Sequence, residues 1–113
     1  MGIIRNASIA ADAKSEHEIS ILHLTPLDYL VNYFVITSGE NKRQVEALVS
    51  DIEKQIKEEM GISPSSIEGR REGAWVLLDY GDVVVHVFNQ KSREYYDLEH
   101  LWSNAPRLEF HFN

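Results

Sequence analysis

The chain has 113 residues, 43% apolar and 26% charged, with no cysteine and a net charge of −7 from 18 acidic and 11 basic side chains. That length suits one domain with a core of its own, while the missing cysteines exclude disulfides and thiolate metal sites. No apolar run approaches the ~20 residues of a membrane span, and the charge opposes a phosphate backbone unless basic residues gather locally, so neither a membrane nor DNA is expected as a partner.

The opening stretch, Met1 to Lys14, lacks the apolar centre of a secretory signal and is poor in arginine, from which a cytoplasmic location is expected. Ile3, Ile4, Ala7, Ala10 and Ala11 fall at helical spacing, which predicts a short helix over 3–14. Ile19, Ile21, Leu22 and Leu24 partly alternate as in a strand, broken at Thr25-Pro26-Leu27-Asp28 because proline cannot donate to a ladder. Tyr33 to Thr37 is an unbroken aromatic and β-branched run, the pattern of a strand covered on both faces, as in parallel sheets. Ser38-Gly39 ends it. A helix follows from about Asn41 to Met60, with Val45, Leu48, Val49, Ile52, Ile56 and Met60 on its apolar stripe, Glu53 and Lys57 paired on its polar side, and Gly61 as its cap. Strand, helix and further strands imply a right-handed crossover to a parallel partner. Residues 62–73 read as a loop with a short strand near Ile67-Glu68.

Ala74 to Phe88 reads as a β-hairpin turning at Gly81. Side chains alternate across a strand. One face is therefore the core set Val76, Leu78, Val83, Val85 and Val87. The other is the mixed set Trp75, Leu77, Asp79, Asp82, Val84, His86 and Phe88. With Tyr80-Gly81 as a two-residue turn, Trp75 lies opposite His86 and Leu77 opposite Val84. The mixed face has the composition of a protein-binding patch; a cover by the following segment, with Tyr95, Tyr96 and Trp102, is the open alternative. Residues 89–102 read as a helix capped by Asn89, with Leu98, Leu101 and Trp102 on its apolar side. Residues 103–113 read as a tail in which Leu108, Phe110 and Phe112 alternate as a short edge strand would.

The chemistry-bearing residues support catalysis weakly. Asp79 and Asp82 flank a glycine turn, where acids are common turn residues, and bring no third metal ligand. The five histidines show no metal spacing. Lys42-Arg43, Arg70-Arg71 and Lys91 with Arg93 all sit beside acids and read as solvated surface. Thr37-Ser38-Gly39 before a long helix resembles the Gly-Ser loop of nucleotidyltransferase folds, but no Asp-x-Asp pair follows to hold two Mg²⁺.

An ordered set of segments resembles the ribosomal silencing factor (RsfS) family, also called Iojap-like proteins. It comprises Ala10-Ala11-Asp12-Ala13-Lys14, Asp28, Tyr33-Phe34-Val35-Ile36, Ser38-Gly39, Arg43-Gln44-Val45, Glu68-Gly69, Trp75 to Phe88, Arg93 to Glu99 and Leu101-Trp102, and spans residues 4–102. Asn32 stands where the family often has an acid, and residues 107–113 fall outside the match. The resemblance implies a single α/β domain over 1–113: a mixed sheet with flanking helices, nucleotidyltransferase-like but without catalysis or cofactor. It also implies a function, docking on the large ribosomal subunit through ribosomal protein number fourteen, which blocks subunit joining and represses translation. The expected interface is Trp75, Leu77, Tyr80, Val84, His86 and Lys91, with Trp75 as anchor. The free protein could pair with itself through an exposed apolar face. Two other readings remain: a small Mg²⁺-dependent nucleotidyltransferase using Ser38 with Asp79 and Asp82, and an antitoxin-like or generic adaptor.

Overall fold

The computed structural model describes residues 2–14, 19–27 and 31–108. Helix α1 (Gly2–Lys14) leads to β1 (Ser20–His23), a 3-10 turn over Thr25–Leu27, β2 (Tyr33–Gly39), α2 (Lys42–Met60), β3 (Ser66–Glu68), β4 (Trp75–Asp79), β5 (Val83–Asn89), α3 (Gln90–Tyr96), α4 (Leu98–Leu101) and β6 (Arg107–Leu108). The six strands form one mixed sheet in the order β3-β4-β5-β2-β1-β6. β2 and β5 pair in parallel over seven residues, from Tyr33 with Val83 to Gly39 with Asn89, and the other pairings are antiparallel. The expected α/β class, mixed sheet and parallel crossover are all present.

The helix boundaries follow local chemistry. Asn41 is extended, and its side chain accepts from the Gln44 amide, which satisfies one of the unpaired N–H groups at the start of α2. Gly61 closes the helix at φ 68° and donates its N–H to the Lys57 carbonyl. Val45, Leu48, Val49, Ile52 and Ile56 are fully buried against the sheet, whereas Met60 at the end of the stripe is exposed. α1 lies beside α2 with Ile4, Ala7, Ala10 and Ala11 in the same core, together with Val35, Val76, Leu78, Val83, Val85 and Val87. Gln55 Nε2 donates to Asn6 Oδ1 at 3.0 Å and ties the two helices. Glu53 accepts from Arg70 Nη1 at 3.0 Å, and Glu46 binds the same guanidinium. Arg70 thus pins the β3–β4 connection to α2 as well as facing solvent.

The opposite face of the sheet carries a second core. It comprises Leu22, Leu24, Phe34, Ile36, Val84, Phe88 and Ala105, with Trp75, Leu77, Leu98 and Trp102 packed on it. α3 and α4 close this face, so the covering alternative for the mixed hairpin face holds in part. Two expectations are corrected here. The 89–102 helix divides at Asp97, which adopts φ 48° and ends α3 before α4 begins. Leu101, expected on the apolar side, points outward at 68% exposure. The alternation at the C-terminal end does yield an edge strand, since Arg107 and Leu108 pair with Leu22 and Ile21 of β1; Phe110 and Phe112 lie outside the described residues, as does Asp28.

The hairpin register is also corrected. Trp75 opposes Phe88, Leu77 opposes His86 and Asp79 opposes Val84. The Tyr80 amide donates to the Val83 carbonyl, so the two-residue loop is Gly81-Asp82, one residue later than expected. Gly81 has φ 87°, and Asp97 is the one non-glycine with positive φ among the described residues. The loop is therefore of the II′ kind, which takes glycine first and matches the twist of the strands. The pairing moved by two positions, so the face assignment survives.

Gly69 and Gly81 both adopt positive φ, but a Cβ at Gly69 would lie 2.1 Å from the Trp75 carbonyl oxygen, whereas one at Gly81 would meet nothing within 4 Å. Gly81→Ala should cost about 1–3 kcal/mol, the penalty of a sparsely populated positive-φ conformation alone. Gly69→Ala should cost clearly more, because the backbone beside Trp75 must move. Urea unfolding of the two variants checks the ranking, and equal losses would contradict it.

Candidate functional site

The residues singled out in the hairpin occupy three different settings. β5 is central, between β4 and β2, and Val83 to Phe88 are all buried. Val84 and His86 are therefore closed off beneath the α3–α4 cover, against the expectation that they face a partner; His86 is 3% exposed. β4 is flanked outside only by the three-residue β3, and its Trp75 and Leu77 remain half-buried at the margin of the cover. Tyr80 belongs to the other side. It packs on the α1–α2 core, as its even position alongside Val76 and Leu78 requires, and is not a neighbour of Trp75. Its hydroxyl is buried without a partner among the described residues; burial, with Glu53 nearby, pushes it up to about 12. Lys91 is exposed on α3.

Trp75 stands at the centre of an aromatic group. Its ring stacks on Phe88 at 5.0 Å and meets Tyr96 of α3 at 4.8 Å, and Tyr96 in turn meets Tyr95 edge-on at 5.1 Å. The indole Nε1–H donates to His86 Nδ1 at 3.0 Å. That bond requires Nδ1 unprotonated, so the imidazole carries its proton on Nε2. Phe34 lies edge-on to the imidazole at 4.5 Å. Outside the buried layer, Tyr95 is 82% exposed, Leu101 68% and Tyr96 50%. Trp75, Tyr96 and Tyr95 make an aromatic surface on the α3–α4 side of the sheet, with Leu77 packed on the same core as Trp75 and Leu101 exposed on α4. Clefts of about 290 and 360 Å³, lined largely by α2 residues such as Asp51, Lys54, Glu53 and Lys57, lie on the other side.

The α3–α4 cover is fastened by residues that sequence reasoning placed on a solvated surface. Arg93 is 8% exposed. Its Nε and Nη2 donate to Glu99 at 3.0 and 3.1 Å, and its Nη1 donates to Ser38 Oγ at 3.0 Å. Ser20 Oγ donates to Glu99 at 2.6 Å, and Arg107 adds a second guanidinium to the same carboxylate at 2.9 Å. Burial alone would raise the Glu99 carboxyl, but hydrogen bonds from Arg93 and Ser20, with the charges of Arg93 and Arg107, outweigh it and hold the group below its usual value. Ser38, the residue of the nucleotidyltransferase-like loop, is fully buried and donates to Gln90 Oε1 at 2.8 Å. Asp79 Oδ1 accepts from the Gly81 amide at 2.8 Å, which makes it a turn residue. The structure thus does not bring Ser38 and the two aspartates together as one site.

Burial pushes His86 down from 6.5 to about 4. The unfolded chain takes up a proton at this residue below about pH 6.5 and the native state does not until about pH 4, so acid favours unfolding across that window. The effect should reach ~3 kcal/mol at its lower end. His86→Phe should flatten the stability profile between pH 6.5 and 4, measured by urea unfolding at each pH; an unchanged slope would refute the assignment. The loss from Glu99 falls lower, below the ordinary carboxylate range, and should survive in the variant.

Comparison with known proteins accounts for this arrangement. The family model described as "Ribosomal silencing factor during starvation" matches residues 3–113, and so takes in the segment from Arg107 onward that the motif resemblance left outside. The ribosomal silencing factor of Bacillus subtilis is 40% identical over 110 residues, 97% of this chain and 92% of the relative. A crystal structure of a Chromobacterium violaceum protein superposes with a TM-score of 0.83 at 34% identity, covering 98% of this chain and 91% of that one. A mouse protein named for mitochondrial assembly of the ribosomal large subunit is 32% identical over 92 residues, 80% of this chain and 40% of its own length. The chain belongs to the RsfS family of ribosomal silencing factors.

Proposed function

We propose that the protein silences ribosomes by docking, without catalysis or cofactor: it binds the large ribosomal subunit in the cytoplasm through ribosomal protein number fourteen, obstructs joining of the small subunit and represses translation when nutrients are scarce. Family membership carries this reading. The docking surface is the half-buried Trp75 and Leu77 with the exposed Tyr95, Tyr96 and Leu101, and Lys91 on the neighbouring helix surface. Aromatic anchors in an apolar patch are the side chains most enriched where binding energy concentrates. A net charge of −7 favours a basic protein over bare RNA, because like charge repels a phosphate backbone and opposite charge speeds encounter. Val84 and His86 support the surface from below, and Tyr80, on the other side of the sheet, has no part in it. When no ribosome is present the same patch would serve pairing with a second copy.

Gradient fractionation of a lysate tests the reading: the protein should run with free large subunits and be scarce on translating ribosomes. A signal confined to small subunits, or in no ribosomal fraction, would refute it. Leu101→Asp separates docking from folding, since this side chain is mostly exposed. It should leave stability within ~0.5 kcal/mol and weaken co-sedimentation about tenfold or more. Trp75→Ala should lose both affinity and stability, because half of the ring belongs to the second core.

A further inference from the structure

We propose that His86 is a positioning residue for the docking surface: it accepts the indole N–H of Trp75 and thereby fixes which face and edge of that ring the partner meets. The inference rests on the docking reading above and adds to it a residue that never touches the partner.

The argument starts from polarity in a dry place. His86 sits at the middle of β5, opposite Ile36 of β2 and Leu77 of β4. Its neighbours on that face are Phe34, Trp75 and Phe88. An imidazole there is costly: it gives up hydration, and its Nε2 is buried without a hydrogen-bond partner among the described residues. An apolar ring of similar size would avoid that cost. Among the described residues, the one hydrogen bond the imidazole makes is the 3.0 Å bond from Trp75 Nε1. Trp75 itself is half-buried, its ring against Phe88 and Tyr96. Stacking alone leaves a tethered indole freedom to swing about χ1 and χ2, because it is less directional than a hydrogen bond. A hydrogen bond to a fixed acceptor removes that freedom before the partner arrives, so less ordering is left for binding to supply. Burial holds the imidazole neutral at cytoplasmic pH, which keeps the Nδ1 lone pair available. Among the described residues, the titratable and charged groups on and over this face include Asp79 on β4, Tyr96 beside Trp75, and the Arg93–Glu99 pair over Ser38, with Arg107 on the same carboxylate.

The test uses the full chain and isolated large ribosomal subunits at pH 7. His86→Phe keeps the ring and removes the acceptor; His86→Asn supplies an amide oxygen close to the place of Nδ1 and cannot titrate. A Trp102→Phe background leaves Trp75 as the sole indole, so its time-resolved emission anisotropy reports ring freedom directly. His86→Phe should melt no lower than its parent, lose about tenfold in affinity, the worth of one ordinary hydrogen bond, and add a fast component to the anisotropy decay. His86→Asn should bring affinity back to within about threefold of the parent and remove the fast component. A rigid indole or parental affinity in His86→Phe overturns the inference, and so does His86→Asn behaving like His86→Phe. If His86→Phe does not fold, His86→Asn decides alone, by parental affinity with a rigid ring or by their loss. Trp75→Ala in the same assay tells the two readings apart. Parental affinity there means that the docking surface is wrong. Lost affinity there, with His86→Phe unaffected, means that only the role of His86 is wrong.

Discussion

The parallel pairing of β2 with β5 is the constraint from which the rest of the architecture follows. Parallel strands cannot be joined by a tight turn, so a crossover must carry the chain over the sheet, and α2 does so. Two central strands with apolar side chains on both faces then need cover on both faces. α1 and α2 provide one layer, while α3 and α4 provide the other. The second layer is thinner: seven and four residues against thirteen and nineteen. It shields β5 completely but reaches β4 only partly, and the half-covered Trp75 and Leu77 are the outcome of that shortfall.

A short cover is held less by apolar area than by polar fastening. Arg93 reaches through α3 to Ser38 at the end of β2 and Ser20 at the start of β1, while Glu99 collects Arg93, Ser20 and Arg107. Buried ion pairs contribute little net stability over a well-packed apolar alternative, because desolvation offsets attraction. Their geometry, however, admits one arrangement. Four elements meet at one carboxylate, and the angle at which α3 lies on the sheet is set there. Ser38, whose place before a long helix resembles a phosphate-binding loop in sequence, serves this fastening.

Much of the fold was legible because it is written in periodicity. The α2 stripe, the alternation from Trp75 to Phe88 and the unbroken run from Tyr33 to Thr37 each have one simple structural solution. What escaped was chemistry that depends on distant neighbours. Arg93 looks like any surface arginine beside Glu94, since its partners Ser20 and Ser38 lie far away in sequence. The hairpin loop was placed one residue early because Tyr80-Gly81 and Gly81-Asp82 are both plausible turns, and only the Tyr80 to Val83 hydrogen bond decides. Parity puts Trp75, Leu77, Val84 and His86 on one face and Tyr80 on the other, but parity is blind to depth: Trp75 and Leu77 are half-buried, whereas Val84 and His86 are buried. The outward turn of Leu101 is not legible because the left-handed Asp97, which separates α4 from α3, has no sequence signature as strong as glycine.

The Arg93 fastening has a further consequence for the order in which the molecule assembles. Its contacts to Ser38 and Ser20 close over 55 and 73 residues of chain, and that from Arg107 to Ser20 over 87. Contacts this remote in sequence form only after intervening segments have been drawn together, because loop closure must be met first. The sheet and its α1–α2 layer can exist before the cover is in place, but the cover cannot exist before the sheet. α3 and α4 should therefore be the last part to become protected from amide hydrogen exchange during folding and the first to open from the native state. A nascent chain that has not yet released Arg107 lacks one of the two guanidiniums on the Glu99 carboxylate, so the cover is fully fastened only after that residue has emerged.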